Sequence, residues 1–237
     1  MLVPAVVKSK GLDESILPIG TDKNVLVMAD FSGSMSSANI STKSDISCLQ
    51  VCASLAFYCS NKINKTSSFY NKFLSFSKNP FLYSWNSETD FATEVRRVID
   101  QGQRYAENTD IEKAFDLILN SANMFNLSQK QMPDFLLILS DMQFDSKNSV
   151  GDKDQFNSTV DSFKIKYEQL RYKLPIIIYW NLNAHSGSIE CEQGKNCAMI
   201  SGFSPSALQV VLSGNLKEIS PLSIMYKTLE KYEITVP

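Results

Sequence analysis

Asn24-Val-Leu-Val-Met-Ala-Asp30-Phe-Ser-Gly-Ser-Met-Ser36 is an apolar run that stops on an acid and then carries an oxygen-bearing side chain at every second position. A short continuous apolar run of this kind forms a strand buried on both faces, as in a parallel sheet. Asp134-Phe-Leu-Leu-Ile-Leu-Ser-Asp141 repeats the same grammar, and Pro175-Ile-Ile-Ile-Tyr-Trp-Asn181 supplies a third such run. Between the first two, residues 44–63 place Ile46, Leu49, Ala53, Ala56 and Ile63 on one helical face, with Cys52, Leu55 and Cys59 beside it.

Working outward, helical spacing recurs over residues 91–101, 110–125 and 155–173, the second with Asn108 or Thr109 as its cap. Residues 69–77 and 81–85 are aromatic-rich strands joined by Lys78-Asn79-Pro80, which predicts a hairpin and hence one antiparallel edge strand. A last short strand is expected at 198–201, followed by helices near 205–212 and 221–232. Strands alternating with helices at this spacing imply right-handed βαβ units. The expected fold is therefore α/β: a doubly wound, Rossmann-like, mostly parallel sheet with one antiparallel edge strand and helices on both faces. Residues 1–21, broken by Pro4, Gly11, Pro18 and Gly20, read as a lead-in, and residues 22–237 as a single domain with its last helix packed on it.

Composition narrows the function classes. With 43% hydrophobic and 20% charged residues among 237, the chain is of ordinary globular type. Its 23 Lys and Arg against 25 Asp and Glu give a net charge of −2, leaving no cationic excess for a phosphate backbone. Direct nucleic-acid binding is not expected. No apolar run approaches the roughly 18 residues of a membrane span, and the N-terminus lacks the pattern of a secretory leader. No membrane contact and a cytoplasmic, intracellular location are the expectation. The odd number of cysteines, five, suits a reducing compartment rather than a disulfide framework, so the N-x-S/T matches at Asn39, Asn64, Asn126 and Asn157 carry no weight. Cys48, Cys52 and Cys59 read as buried small hydrophobes. Cys191 and Cys197 flank Gly194 in an expected loop, where a reversible disulfide is an open option.

In an open parallel sheet, ligands bind beyond the C-terminal ends of the strands, and the unusual polar groups fall there. Asp30, Ser32 and Ser34 follow the first strand, with Gly33 expected to allow a tight turn that lets them converge. Asp141 ends another strand on the same rim, and Thr109 in Ala106-Glu-Asn-Thr-Asp110 lies on a further loop. Taken alone, Ser32, Ser34 or Thr109 would read as a helix cap. Their conjunction with two strand-ending acids makes an all-oxygen set suited to a hard cation such as Mg²⁺.

Asp30-x-Ser32-x-Ser34, Thr109 and Asp141 together resemble the metal-ion-dependent adhesion site (MIDAS) of von Willebrand factor A (vWA) domains. The resemblance covers residues 22 to 213. Leu139-Ser-Asp-Met-Gln-Phe-Asp145 and Ile200-Ser-Gly-Phe-Ser204 are most similar to the A-type module at the C-terminal end of Ro/TROVE-like proteins and a related uncharacterised family. The resemblance implies a Mg²⁺ or Mn²⁺ ion held by Asp30, Ser32, Ser34, Thr109 and Asp141, with a partner protein's Asp or Glu as the last ligand. It implies an interaction module, not an enzyme, with partner choice set by a rim that includes Phe31, Met35, Met142 and Phe144. Glu107-Asn108 departs from the glycine-rich approach the family often has before its threonine.

Two other functions remain in view. A metal-dependent hydrolase acting on phosphoesters would need a base or nucleophile beside the ion. The lone His185 has no visible partner, no serine lies in G-x-S-x-G, and Ser32 stands where an aspartyl-nucleophile phosphatase needs a second acid. A subunit of a ribonucleoprotein assembly would reach RNA through a partner, since Arg96, Arg97 and Arg104 read as a solvated helix face. The oligomeric state is not legible.

Overall fold

The computed structural model describes residues 23–40, 45–76, 79–85, 88–104, 111–141, 153–183, 191–193, 197–202 and 225. Their strands are β1 (Val25–Asp30), β2 (Lys72–Phe76), β3 (Phe81–Ser84), β4 (Phe135–Ser140), β5 (Ile176–Asn181), β6 (Cys191–Gln193) and β7 (Cys197–Ser201). The helices are α1 (Gly33–Ser37), α2 (Cys48–Lys62), α3 (Phe91–Arg104), α4 (Ile111–Met124) and α5 (Lys153–Gln169). The expected helices near 205–212 and 221–232 fall outside the described residues, apart from helical Met225.

The strands form one sheet in the order β3-β2-β1-β4-β5-β7-β6. Its central pairs, β2 with β1, β1 with β4, β4 with β5 and β5 with β7, are parallel. The fold is the expected mostly parallel, doubly wound α/β sheet, and β3 is the expected antiparallel edge strand on β2. A second antiparallel strand, β6, closes the opposite edge against β7, where the sequence suggested only a loop. In that hairpin Cys191 is in register with Ile200.

Alternation along the strands divides the interior into two cores. Val27, Ala29, Leu137 and Leu139 point to one face, covered by α2 and α3; Leu26, Met28, Leu136 and Ile138 point to the other, covered by α4 and α5. On the first face Phe57 of α2 makes edge contacts with Phe73, Tyr83, Trp85 and Phe91 at ring distances of 5.1–5.9 Å. On the second, Phe115 and Phe163 stack at 4.1 Å, and Lys166 pairs with Asp116 at 2.9 Å. Cys48, Cys52 and Cys59 are buried free thiols, as their helical spacing implied. Helix α2 begins at a capping box in which the Ser47 hydroxyl accepts from the Gln50 amide and the Gln50 side chain accepts from the Ser47 amide. Arg97 does not simply point to solvent: it donates to Tyr83 and to the buried Glu94 at 2.7 Å, tying α3 to the β3 edge. Among the described residues no helix is long and apolar enough to cross a membrane.

Candidate metal centre

β1 and β4 are neighbours, with Ala29 opposite Leu139, so both strands deliver their terminal acids to the same sheet edge. By alternation Asp30 and Ser140 share the face of Leu26, Met28, Leu136 and Ile138, the side covered by α4. Asp30 is 0% exposed and Asp141 1% exposed. Burial of two acids so close together is costly unless something compensates their charge.

Part of the compensation is local. The Ser32 amide donates to Asp30 Oδ1 at 2.9 Å and the Ser140 hydroxyl donates to Asp30 Oδ2 at 2.6 Å. These bonds favour the ionised carboxylate, but burial outweighs them and the Asp141 charge adds to it, so the Asp30 carboxyl is pushed up to about 6. The thiols beneath the centre respond to the same surroundings. Burial, then the Asp141 charge, pushes Cys48 up to about 11, and burial, then the Asp30 charge, raises Cys52 well above its ordinary value.

The serines complete the set. Ser32 occupies the N-cap position of α1, yet its side chain makes no capping hydrogen bond. Instead its Oγ lies 3.0 Å from Ser34 Oγ, and both residues are half-buried. The capping explanation for this hydroxyl therefore fails, and two hydroxyls converge beside two carboxylates. Among the described residues no group of three or more His, Cys, Asp and Glu side chains gathers as a metal cage. The donor chemistry here is carboxylate plus hydroxyl, which fits a hard divalent ion such as Mg²⁺ or Mn²⁺.

Several expectations need correction. Gly33 does not supply a special turn: it opens α1, its φ is not in the left-handed region, and a Cβ there would meet nothing within 4 Å. Gly33→Ala should therefore fold normally and melt at the same temperature or slightly higher, gaining up to about 1 kcal/mol from reduced chain entropy; a clear loss of stability would show that the site needs glycine. Phe31 and Met35 are not rim residues but core residues, 3% and 0% exposed. Thr109, Met142, Phe144 and His185 lie outside the described residues. Sequence reasoning gave no role to the Met35 thioether, which accepts the Asp141 amide at 3.1 Å across 106 residues of sequence; no local pattern signals so distant a contact.

An apolar groove of about 300 Å³ lies on the α4 side, lined by Leu26, Leu74, Leu117, Met132 and others. None of its lining side chains is titratable, and none belongs to the metal centre.

The chain is similar to several known proteins. An uncharacterised protein, L728, of Acanthamoeba polyphaga mimivirus is 26% identical over 225 residues, which is 94% of this chain but 35% of that protein. The chain thus spans about a third of that relative's length. The crystal structure of the Ro (RSR) protein of Deinococcus radiodurans aligns over 84% of this chain and 35% of that one, with a TM-score of 0.52 and 15% identity. Manganese-loaded TRAP protein of Plasmodium vivax aligns more loosely, at a TM-score of 0.40 and 12% identity over 85% of this chain and 74% of that one. The Ro alignment speaks to fold alone, and that fold is vWA-like. At the level of sequence, the family described as a domain of unknown function, DUF7788, matches residues 24–232, and the chain belongs to it.

Proposed function

We propose that the chain is a metal-dependent protein-interaction module, not an enzyme, that takes an Asp or Glu of a partner protein at a Mg²⁺ or Mn²⁺ centre. The observation that carries this reading is the pair of buried strand-end acids, Asp30 and Asp141, together with two convergent hydroxyls that directly follow Asp30 in the chain, one of them at a cap position where it does not cap. Asp30, Ser32, Ser34 and Asp141 would hold the ion, and Thr109 is the further ligand we propose. Two carboxylates neutralise a divalent charge while hydroxyls draw little from it, so the ion would supply an electrophilic position for an incoming carboxylate. Asp30 and Asp141 set that charge balance, and Ser32 and Ser34 are more exposed than the two acids.

Calorimetric titration of the metal-free protein with MgCl₂ should show a single site. Partners captured from the native cell type in Mg²⁺ should be released by EDTA and displaced by a free acidic peptide. Absence of any Mg²⁺ or Mn²⁺ binding would overturn the reading, and turnover of phosphoesters above a metal-only blank, lost in Asp141→Ala, would replace it with a hydrolase.

A further inference from the structure

Two hydrogen bonds cross between the halves of the centre, which come from strands far apart in sequence. From β4, the Ser140 hydroxyl donates to Asp30 Oδ2 at 2.6 Å, spanning 110 residues of chain. Also from β4, the Asp141 amide donates to the Met35 thioether at 3.1 Å. Met35 immediately follows Ser34, and Ser140 immediately precedes Asp141, so each bond joins a residue of one half to a residue of the other. Met35 and Ser140 are both 0% exposed. Neither choice is what packing alone would select: an apolar residue would fill the strand end without burying a hydroxyl, and leucine would match the volume of Met35 without a sulfur facing an amide.

We propose that Ser140 and Met35 are positioning residues, which lock the Asp30–Ser34 loop to the Asp141 strand end so that the centre is assembled before the cation arrives. The Ser32 amide on Oδ1 and the Ser140 hydroxyl on Oδ2 together fix the plane of the Asp30 carboxylate. The thioether fixes α1, and with it Ser34, relative to the Asp141 backbone. This inference rests on the metal-binding reading above. Groups that orient metal ligands without touching the ion typically contribute 10- to 100-fold to affinity.

The test uses the full chain and three substitutions, Ser140→Ala, Ser140→Thr and Met35→Leu. Ser140→Ala and Met35→Leu should each weaken Mg²⁺ binding by about 10- to 100-fold in calorimetry while circular dichroism stays unchanged. Ser140→Thr, which keeps the hydroxyl, should restore most of the affinity. In the metal-free protein, the Asp141 amide should shift its NMR resonance and exchange faster in Met35→Leu than in the parent. Parent-like affinity in both Ser140→Ala and Met35→Leu would overturn the positioning role while leaving the metal centre intact. A parent chain that takes up no Mg²⁺ would instead overturn the metal-binding reading, and this inference with it.

Discussion

In EDTA near neutral pH, Asp30→Asn is expected to be more stable than the parent chain by about 1–3 kcal/mol. The Asp30 carboxyl sits at about 6 rather than 3.8, chiefly because it is buried and secondarily because Asp141 is near. A carboxyl group whose pKa is raised by folding stabilises the folded state while it is protonated. That contribution is fully present below pH 3.8 and is lost as pH rises through about 6. The shift of about two units corresponds to about 3 kcal/mol at ~1.4 kcal/mol per unit. The asparagine keeps an acceptor for the Ser32 amide and offers its own N–H to the Ser140 oxygen, so the fold loses little and the charge is gone. With roughly 2–4 °C of melting temperature per kcal/mol in a chain of this size, the difference should be plain in a thermal melt. Magnesium should reverse the order: the parent gains stability as free Mg²⁺ exceeds its dissociation constant, by about 4.1 kcal/mol at a thousandfold excess, and Asp30→Asn gains almost none. An asparagine variant that melts at or below the parent in EDTA would mean that Asp30 is a structural acid, not one held in readiness for a cation.

The parts of this arrangement that could be read in the sequence are those where burial leaves a pattern. β1, β4 and β5 lie in the middle of the sheet, covered on both faces, so each is a continuous apolar run and each ends where the polar rim begins. The strand-end acids were legible for the same reason. β6 was not legible: Cys191-Glu-Gln193 is short and polar, and its strand conformation comes from pairing with β7 rather than from its own residues. Helix α1 was missed because five residues rich in serine and glycine carry no helical period; it is held by the buried Phe31 before it and by its own buried Met35. That short helix turns Met35 inward, which is why a residue expected on the partner-facing rim proves to be a ligand of the Asp141 amide. Contacts over more than a hundred residues of sequence depend on the final register of β1 against β4, and no single window of sequence contains that register.

Phe57→Ala should have the opposite signature to Asp30→Asn, a large loss of stability with an intact centre. Phe57 is fully buried and meets four other aromatic rings edge-on, drawn from β2, β3, the turn after β3 and the start of α3. Truncation to alanine removes the burial of the ring and leaves a cavity that four rigid neighbours cannot easily fill, at a cost of about 3–5 kcal/mol. The melting temperature should fall by on the order of 10 °C. Cys48 and Cys52, at the N-terminal end of the same helix, lie beneath the metal centre, whereas Phe57 follows Cys52 by five residues, about 7.5 Å further along the helix axis at ~1.5 Å per residue. It packs on the α2 side of the sheet, while Asp30 and Ser140 lie on the α4 side. Phe57 contacts Phe73, which in turn contacts Phe31, and it shares a core with Met35; at the low end of the coupling such indirect neighbours show, about 0.5–1 kcal/mol, Mg²⁺ affinity measured well below the lowered melting point should change by no more than about fivefold. A variant that loses magnesium affinity in step with stability would show that the aromatic cluster and the centre form one cooperative unit, with the sheet transmitting strain between its two faces.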